Sequence, residues 1–295
     1  MNQVTLAIGF GLVTASIIAL GAVGFTLQFA ITNIFNLAYG SIMTVAAYSA
    51  YAVSVRGGVS IWLGLLGGAI CGAIVSVAIN RLIYLPFLRR GTSQFAMVMV
   101  TLAVSTITVN VVQILAGTDN YGYNVVYGSN FRFAGMILTA RQLAIIGIAA
   151  GSMLALHLLL RYTRAGKAMR ATASDAALAR SCGIATGRVT DLAWLLSGLL
   201  CGAAGVTLGM NTVVFDSTAG STFLLVIVAA AVFGSAGAIY GAMLGSLVVG
   251  IGSELAAIVD PALKDVAAFS VLVLLIRPEG VLGRSSAASA DTGTA

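Results

Sequence analysis

Side chains able to do chemistry are sparse in this 295-residue chain, and their spacing does not suit catalysis. His157 is the single histidine and stands in an apolar run, LALHLLLR, with no second histidine, cysteine or carboxylate at metal-ligand spacing. It reads as a packed or interface residue. Cys71, Cys182 and Cys201 lack the spacing of a zinc or redox motif. Gly166-Lys167 is followed by Ala168, and Arg161 stands where a phosphate-cradling loop needs its first glycine, so no nucleotide-binding loop is expected. Paired aspartates and a Ser–His arrangement are both missing from the apolar runs. The sequence thus predicts no catalytic residue, metal or cofactor, and any ATPase would be a separate polypeptide.

Two polar features inside apolar runs are better placed to act on a solute. In Asn33-Ile-Phe-Asn36-Leu-Ala-Tyr39-Gly40-Ser41 the amides need partners in a bilayer, so Asn33 and Asn36 are expected to face the bundle interior. A break near Gly40 would free backbone groups to line a cavity; a helix–helix hydrogen bond without a transport role is the plainer reading. Glu254, in GIGSELAAIVD, is a carboxylate in an apolar run, which insertion scales price at about 2.5–3.5 kcal/mol at mid-bilayer. Its expected place is near the outer end of its span, lining an exit mouth, meeting an external partner or marking the interface. Asn80, Asn110 and Gln113 repeat the argument more weakly.

A third feature is polar throughout. Residues 161–190, RYTRAGKAMRATASDAALARSCGIATGRVT, carry six of the fifteen Lys and Arg residues. Ser174 and Asp175 would start a short helix there, Arg180 would sit in its last turn and Gly183 would close it, the order of a capped helix with favourable end charges. Such a helix between spans suits docking to another protein, although the bases also follow from membrane topology alone.

These elements need a membrane to position them. Hydrophobic residues make up 59% of the chain and charged residues 8%, against about 25% charge in a soluble domain. The sequence predicts an all-α integral membrane protein, a polytopic helical bundle with apolar segments at 4–24, 31–55, 59–80, 95–116, 142–160, 191–210, 222–234, 238–257 and 266–277. The segments 222–234 and 266–277 are short, and the pair 222–257 is either two crossings or a re-entrant hairpin turning at 234–237. The first run has neither a basic flank nor a cleavage site and is read as a retained span. Residues 1–284 form one membrane domain, and the small polar tail 285–295 is expected to be disordered. Alternating sides gather eleven basic residues on the face of the central loop and four on the other. The positive-inside rule then places the loop and the C-terminus in the cytoplasm and the N-terminus outside. The outer loop 117–141 carries Tyr121, Tyr123, Tyr127 and Phe131. The net charge of +6 follows from this rule and does not indicate nucleic acid.

Glycines recur every four residues at Gly64, Gly68 and Gly72 and at Gly237, Gly241 and Gly245, with the pairs Gly198/Gly202 and Gly205/Gly209. Such ridges let helix backbones approach, within one chain or against a second permease subunit.

Four stretches carry a resemblance. Ile34-Phe-Asn36-Leu-Ala-Tyr39-Gly40, the segment TRAGKAMRATASDAALARSCGI, the glycine-rich run from Gly234 to Glu254, and Leu275-Ile-Arg277-Pro278-Glu-Gly280-Val-Leu-Gly283 follow one another in the order of a known family. The chain resembles the LivH-type permease of branched-chain amino acid ABC importers. The resemblance implies a type II importer-like fold with a cytoplasmic coupling helix in a bacterial inner membrane. It implies a companion LivM-type permease, two cytoplasmic ATPase subunits and an external solute-binding protein as partners. Arg170, Ser174, Asp175, Arg180 and Gly183 would then couple to the ATPases, and Asn33, Asn36, Tyr39, Gly40 and Glu254 would border the pathway. Tyr39 stands where the family commonly has His, and Leu37 where it has Phe, which leaves open branched-chain amino acids, other amino acids, amides or urea. The rival from another class is an ion-coupled secondary transporter, which needs an intramembrane coupling-ion site; only Glu254 is a candidate.

Overall fold

The computed structural model describes residues 3–270, except 118, 124–129, 134–135, 213, 236, 259, 261–262, 265 and 267–269. Its helices are α1 (Gln3–Thr32), α2 (Tyr39–Tyr51), α3 (Ile61–Ile79), α4 (Leu85–Arg89), α5 (Gln94–Ala116), α6 (Ala140–Tyr162), α7 (Arg164–Ser174), α8 (Ala176–Ser181), α9 (Thr186–Thr212), α10 (Ala219–Phe233) and α11 (Ile239–Ala256). Wider π-helical turns, Ala52–Arg56 and Asn80–Tyr84, extend α2 and link α3 to α4. Among the described residues six helices are long and apolar enough to cross a membrane, and α10 is a shorter apolar helix.

Short strands join the helices of the expected all-α bundle. β1 (Tyr121–Gly122) pairs antiparallel with β4 (Val214–Phe215), and β2 (Asn130–Phe133) pairs with β3 (Met136–Thr139). Within the outer-loop aromatics, Tyr123 is buried and donates its hydroxyl to the Ala47 carbonyl at 2.8 Å, while Tyr127 lies outside the described residues. The span expected at 266–277, the Arg277–Gly283 motif and the tail also fall largely or wholly outside them.

The run 31–55, read as one span, is two elements. α1 continues to Thr32, about 45 Å at 1.5 Å per residue, and the chain then leaves the helix over 33–38 before α2 begins. Phe35 and Tyr39 both pack edge-on against Phe25, so this segment doubles back along α1 and α2 starts deep in the bundle. A second break matches it. α9 ends at Thr212, Phe215 returns to pack on Gly209, and α10 begins with Gly220 against Gly40 and Thr44.

The breaks belong to an inverted repeat. α1 and α9 are antiparallel, since Gly24 faces Ser197 and Leu200 while Ile17 shares a wall with Leu208. α2 climbs beside α9, Tyr39 at Cys201 and Met43 at Gly205; α10 descends beside α1, Ile227 at Gly21 and Ala231 near Phe25. α3 packs on α9 through Gly72 against Gly198 and Gly202, and α11 packs on α1 through Gly250 against Ala15. The triplet α1–α2–α3 is thus repeated upside down as α9–α10–α11, an architecture shared with many transporters. The glycine ridges serve this packing inside the chain: a Cβ at Gly72 would lie 2.7 Å from the Gly198 carbonyl oxygen. α10 and α11 form an antiparallel hairpin, with Gly241 on Gly234 and Gly245 on Ala230.

Candidate functional site

The centre of the bundle is where the two broken helices meet. A Cβ on Gly40 would fall 2.5 Å from the Gly220 carbonyl oxygen, and one on Gly220 would strike the Gly40 carbonyl. The Gly220 amide donates to Thr44 Oγ1 at 3.2 Å, so one orphan donor of α10 is satisfied by the opposite repeat. Two helix N-termini with their partial positive charge therefore face each other from helices that diverge toward opposite membrane faces.

The four residues expected near the first break divide. Asn36 is fully buried: its Oδ1 accepts from the Tyr84 hydroxyl at 2.9 Å and the Ala38 amide at 3.1 Å, and its Nδ2 donates to Gln28 Oε1 at 3.5 Å. Ser197 Oγ donates to the same Gln28 oxygen at 3.2 Å, tying α9 to the network. Tyr39 is buried, with its hydroxyl 3.4 Å from the Ser197 carbonyl, and Gly40 is the contact just described. Asn33 corrects the expectation that both amides face inward. It is exposed, with φ of 52° and its amide donating to the Phe29 carbonyl at 2.8 Å. Asparagine tolerates this left-handed conformation, and Asn33 ends α1.

Glu254 lies two residues before the end of α11 and at the same end of the bundle as the start of α1. Its carboxylate accepts from Thr14 Oγ1 at 2.8 Å and pairs with Lys264. Charge pairing lowers the cost of a partly buried carboxylate. No signal in the sequence alone joined Lys264 to it. Among the described residues there is no metal-binding cluster.

The opposite end carries the capped helix. Ser174 closes α7 and donates to the Arg170 carbonyl at 3.1 Å. Asp175 ends α7 and caps α8, its Oδ1 accepting from Ala177 and Leu178 amides at 2.8 and 2.9 Å. Arg180 is in the last turn, and Gly183 follows at φ of 83°, the left-handed conformation that stops the helix. Arg170, Ser174, Asp175, Arg180 and Gly183 are all exposed.

Two features of this end escaped the sequence reading. The stretch before the capped helix is itself a helix, α7, started by Thr163 and seated through Gly166 on the backbone of Leu159 and Leu160. α7 packs on both α1 and α9, the leading helices of the two repeats. Leu178, on α8, is 63% exposed beside a buried Ala179, an apolar side chain aimed away from the bundle. Leucine at a polar, capped helix was the available signal. Nearby, Arg81 holds Asp191 at 2.6 Å, and Asp191 also accepts from Asn80, joining the foot of α3 to α9.

Comparison with known proteins matches residues 7–276 to the family model described as branched-chain amino acid transport system / permease component. The high-affinity branched-chain amino acid transport system permease protein LivH of Salmonella typhimurium is 31% identical over 291 residues, 93% of this chain and 94% of that protein. BraD, the corresponding permease protein of Pseudomonas aeruginosa, is 30% identical over 93% of this chain and 94% of its own length. Among solved structures, PsaBC from Streptococcus pneumoniae in complex with Fab aligns over 90% of this chain and 86% of that one, at 15% identity and a TM-score of 0.47. The chain is a multi-pass membrane permease subunit rather than an enzyme, and it belongs to the permease-component family of branched-chain amino acid transport systems.

Proposed function

We propose that this chain imports branched-chain amino acids as half of the membrane pathway of an ATP-driven importer. A companion LivM-type permease would supply the other half, an external binding protein would deliver the solute, and two cytoplasmic ATPases would power the cycle. The N-terminus lies outside, and the central loop and C-terminus lie inside, the orientation the basic residues favour. The observation that carries this reading is α8. A helix capped at both ends, exposed on its polar flanks and offering Leu178 outward, suits a groove on a partner protein.

Coupling then follows from packing. α8 continues α7, and α7 rests on the leading helices of both repeats. A partner that pulls on α8 shifts α1 and α9 together, and with them the breaks whose helices meet at Gly40 and Gly220. Arg170 and Arg180 serve as surface contacts, while Asp175 and Gly183 fix the shape of the docking piece.

Gly183→Pro tests this. Proline locks φ near −65° and removes the amide that Gly183 donates to the Arg180 carbonyl at 3.0 Å. The tagged permease from native membranes is expected to recover an ATPase and a second permease, with the ATPase lost from the variant at unchanged permease abundance. Wild-type permease recovered alone, with uptake intact and driven by an ion gradient without ATP, would sink the proposal in favour of a secondary transporter.

A further inference from the structure

A cavity of about 200 Å³ lies among α1, α9, α10 and α11 at the end of the bundle that holds Glu254. Its floor is apolar, from Leu208, Phe223 and Val226. Its rim is polar, from Thr14, Asn211, Ser253 and Lys264. The rim groups are already committed in a particular sense. Thr14 spends its hydroxyl proton on Glu254 and Ser253 spends its own on the Gly250 carbonyl, at 2.8 and 3.0 Å, so both oxygens are left as acceptors. Among the described residues the Asn211 amide makes no hydrogen bond and is available as donor and acceptor. Lys264 brings a cation whose side chain is 42% exposed, reachable from the mouth, and Glu254 behind it is 15% exposed.

We infer that this cavity binds a small aliphatic amino acid as its zwitterion. The carboxylate pairs with Lys264, the ammonium is taken by the Thr14 and Ser253 oxygens with the charge of Glu254 behind Thr14, and the side chain rests on Leu208, Phe223 and Val226. The ligand carboxylate exchanges the Lys264–Glu254 pair for one of its own with Lys264, and the ammonium gains the Thr14 and Ser253 oxygens with the Glu254 charge behind them. A cavity of about 200 Å³ has room for a small solute such as valine. Its place in the outer half, inside a single subunit, makes it a holding site between the binding protein and the membrane pathway. The inference rests on the proposed import of branched-chain amino acids and names the residues that would recognise the solute.

The test uses the complete importer in lipid nanodiscs, without the external binding protein, and radiolabelled valine as probe. Wild type is expected to bind valine at least tenfold more tightly than valinamide, which lacks the carboxylate, or isovalerate, which lacks the ammonium. Lys264→Met is expected to weaken valine at least tenfold and to abolish the preference over valinamide. Val226→Trp, which fills the floor and leaves the ion pair intact, is expected to weaken valine binding to a similar degree. The double variant Glu254→Lys/Lys264→Glu restores the internal pair. It is expected to recover assembly but not valine binding, whereas a purely structural pair would recover both. Unchanged valine binding and uptake in Lys264→Met and Val226→Trp overturns the site while import stands. A wild-type importer that takes up no valine in cells overturns the substrate reading and the site with it.

Discussion

Residues 33–38 and 214–218 bring the chain to the same central contact from opposite sides, yet they are held there by different chemistry. The first adds to the Phe35 and Tyr39 contacts on Phe25 a buried network of amides and hydroxyls, Asn36, Gln28, Tyr84 and Ser197. The second is fixed by rings, Phe215 packing at 5.3 Å on Tyr48 and 5.2 Å on Tyr123. It has fewer polar ties, with Thr218 donating to Asp216 at 2.6 Å and Gln113 donating to Ser217 at 2.9 Å. Hydrogen bonds are more strictly directional than ring contacts, so the break at the end of the bundle that carries α7 is the more sharply registered.

The shared centre is where both breaks fail together. Gly220→Val pushes a side chain into the Gly40 backbone, and neither helix start is free to retreat. The cost exceeds the roughly 1–3 kcal/mol of ordinary overpacking, because backbone rather than a flexible side chain must move. The variant is expected to be absent from the membrane fraction, and normal abundance would mean the two helix starts are not in contact. Next in size, Phe215→Ala removes a buried ring from the second break and is expected to cost about 3 kcal/mol, read as a lowered melting temperature in detergent. Asn36→Leu follows at about 1–3 kcal/mol, since the buried Tyr84 hydroxyl loses its acceptor. Adding Tyr84→Phe to Asn36→Leu should recover part of that loss, and no recovery would show that the network is not what holds the first break. Smallest is Gln113→Leu, expected near 0.6 kcal/mol, an average interhelical hydrogen bond in a membrane. If Gln113→Leu proved costlier than Asn36→Leu in the same melting assay, the contrast between the breaks would be reversed.

The repeat behind this contrast was legible and went unread. Gly21-Ala-Val-Gly24-Phe-Thr26-Leu27 recurs as Gly202-Ala-Ala-Gly205-Val-Thr207-Leu208, and Gly40-Ser41 recurs as Gly220-Ser221. Seven residues in an apolar, glycine-rich chain are a weak signal until two helices carrying them are seen antiparallel. The copies are not equivalent in detail: Thr207 donates to the Ala203 carbonyl at 2.8 Å, while the Thr26 hydroxyl has no partner among the described residues.

What the sequence settled by itself is whatever depends on neighbours along the chain. Bulk apolarity dictated membrane helices, and the cap of α8 was readable because Asp175 binds amides two and three residues ahead and Gly183 supplies a left-handed stop. Tertiary structure decided the rest. That 31–55 is broken rather than continuous depends on Gly40 meeting Gly220, which no local propensity encodes. That Asn36 is buried while Asn33, three residues earlier, is exposed depends on the chain doubling back onto Phe25. That Glu254 is a paired charge rather than a bare one depends on α1 bringing Thr14 beside it and on Lys264 returning from beyond α11. In a bilayer the backbone satisfies itself within each helix, so sequence suffices for the helices; where they stop and which polar groups meet is fixed by contacts between them.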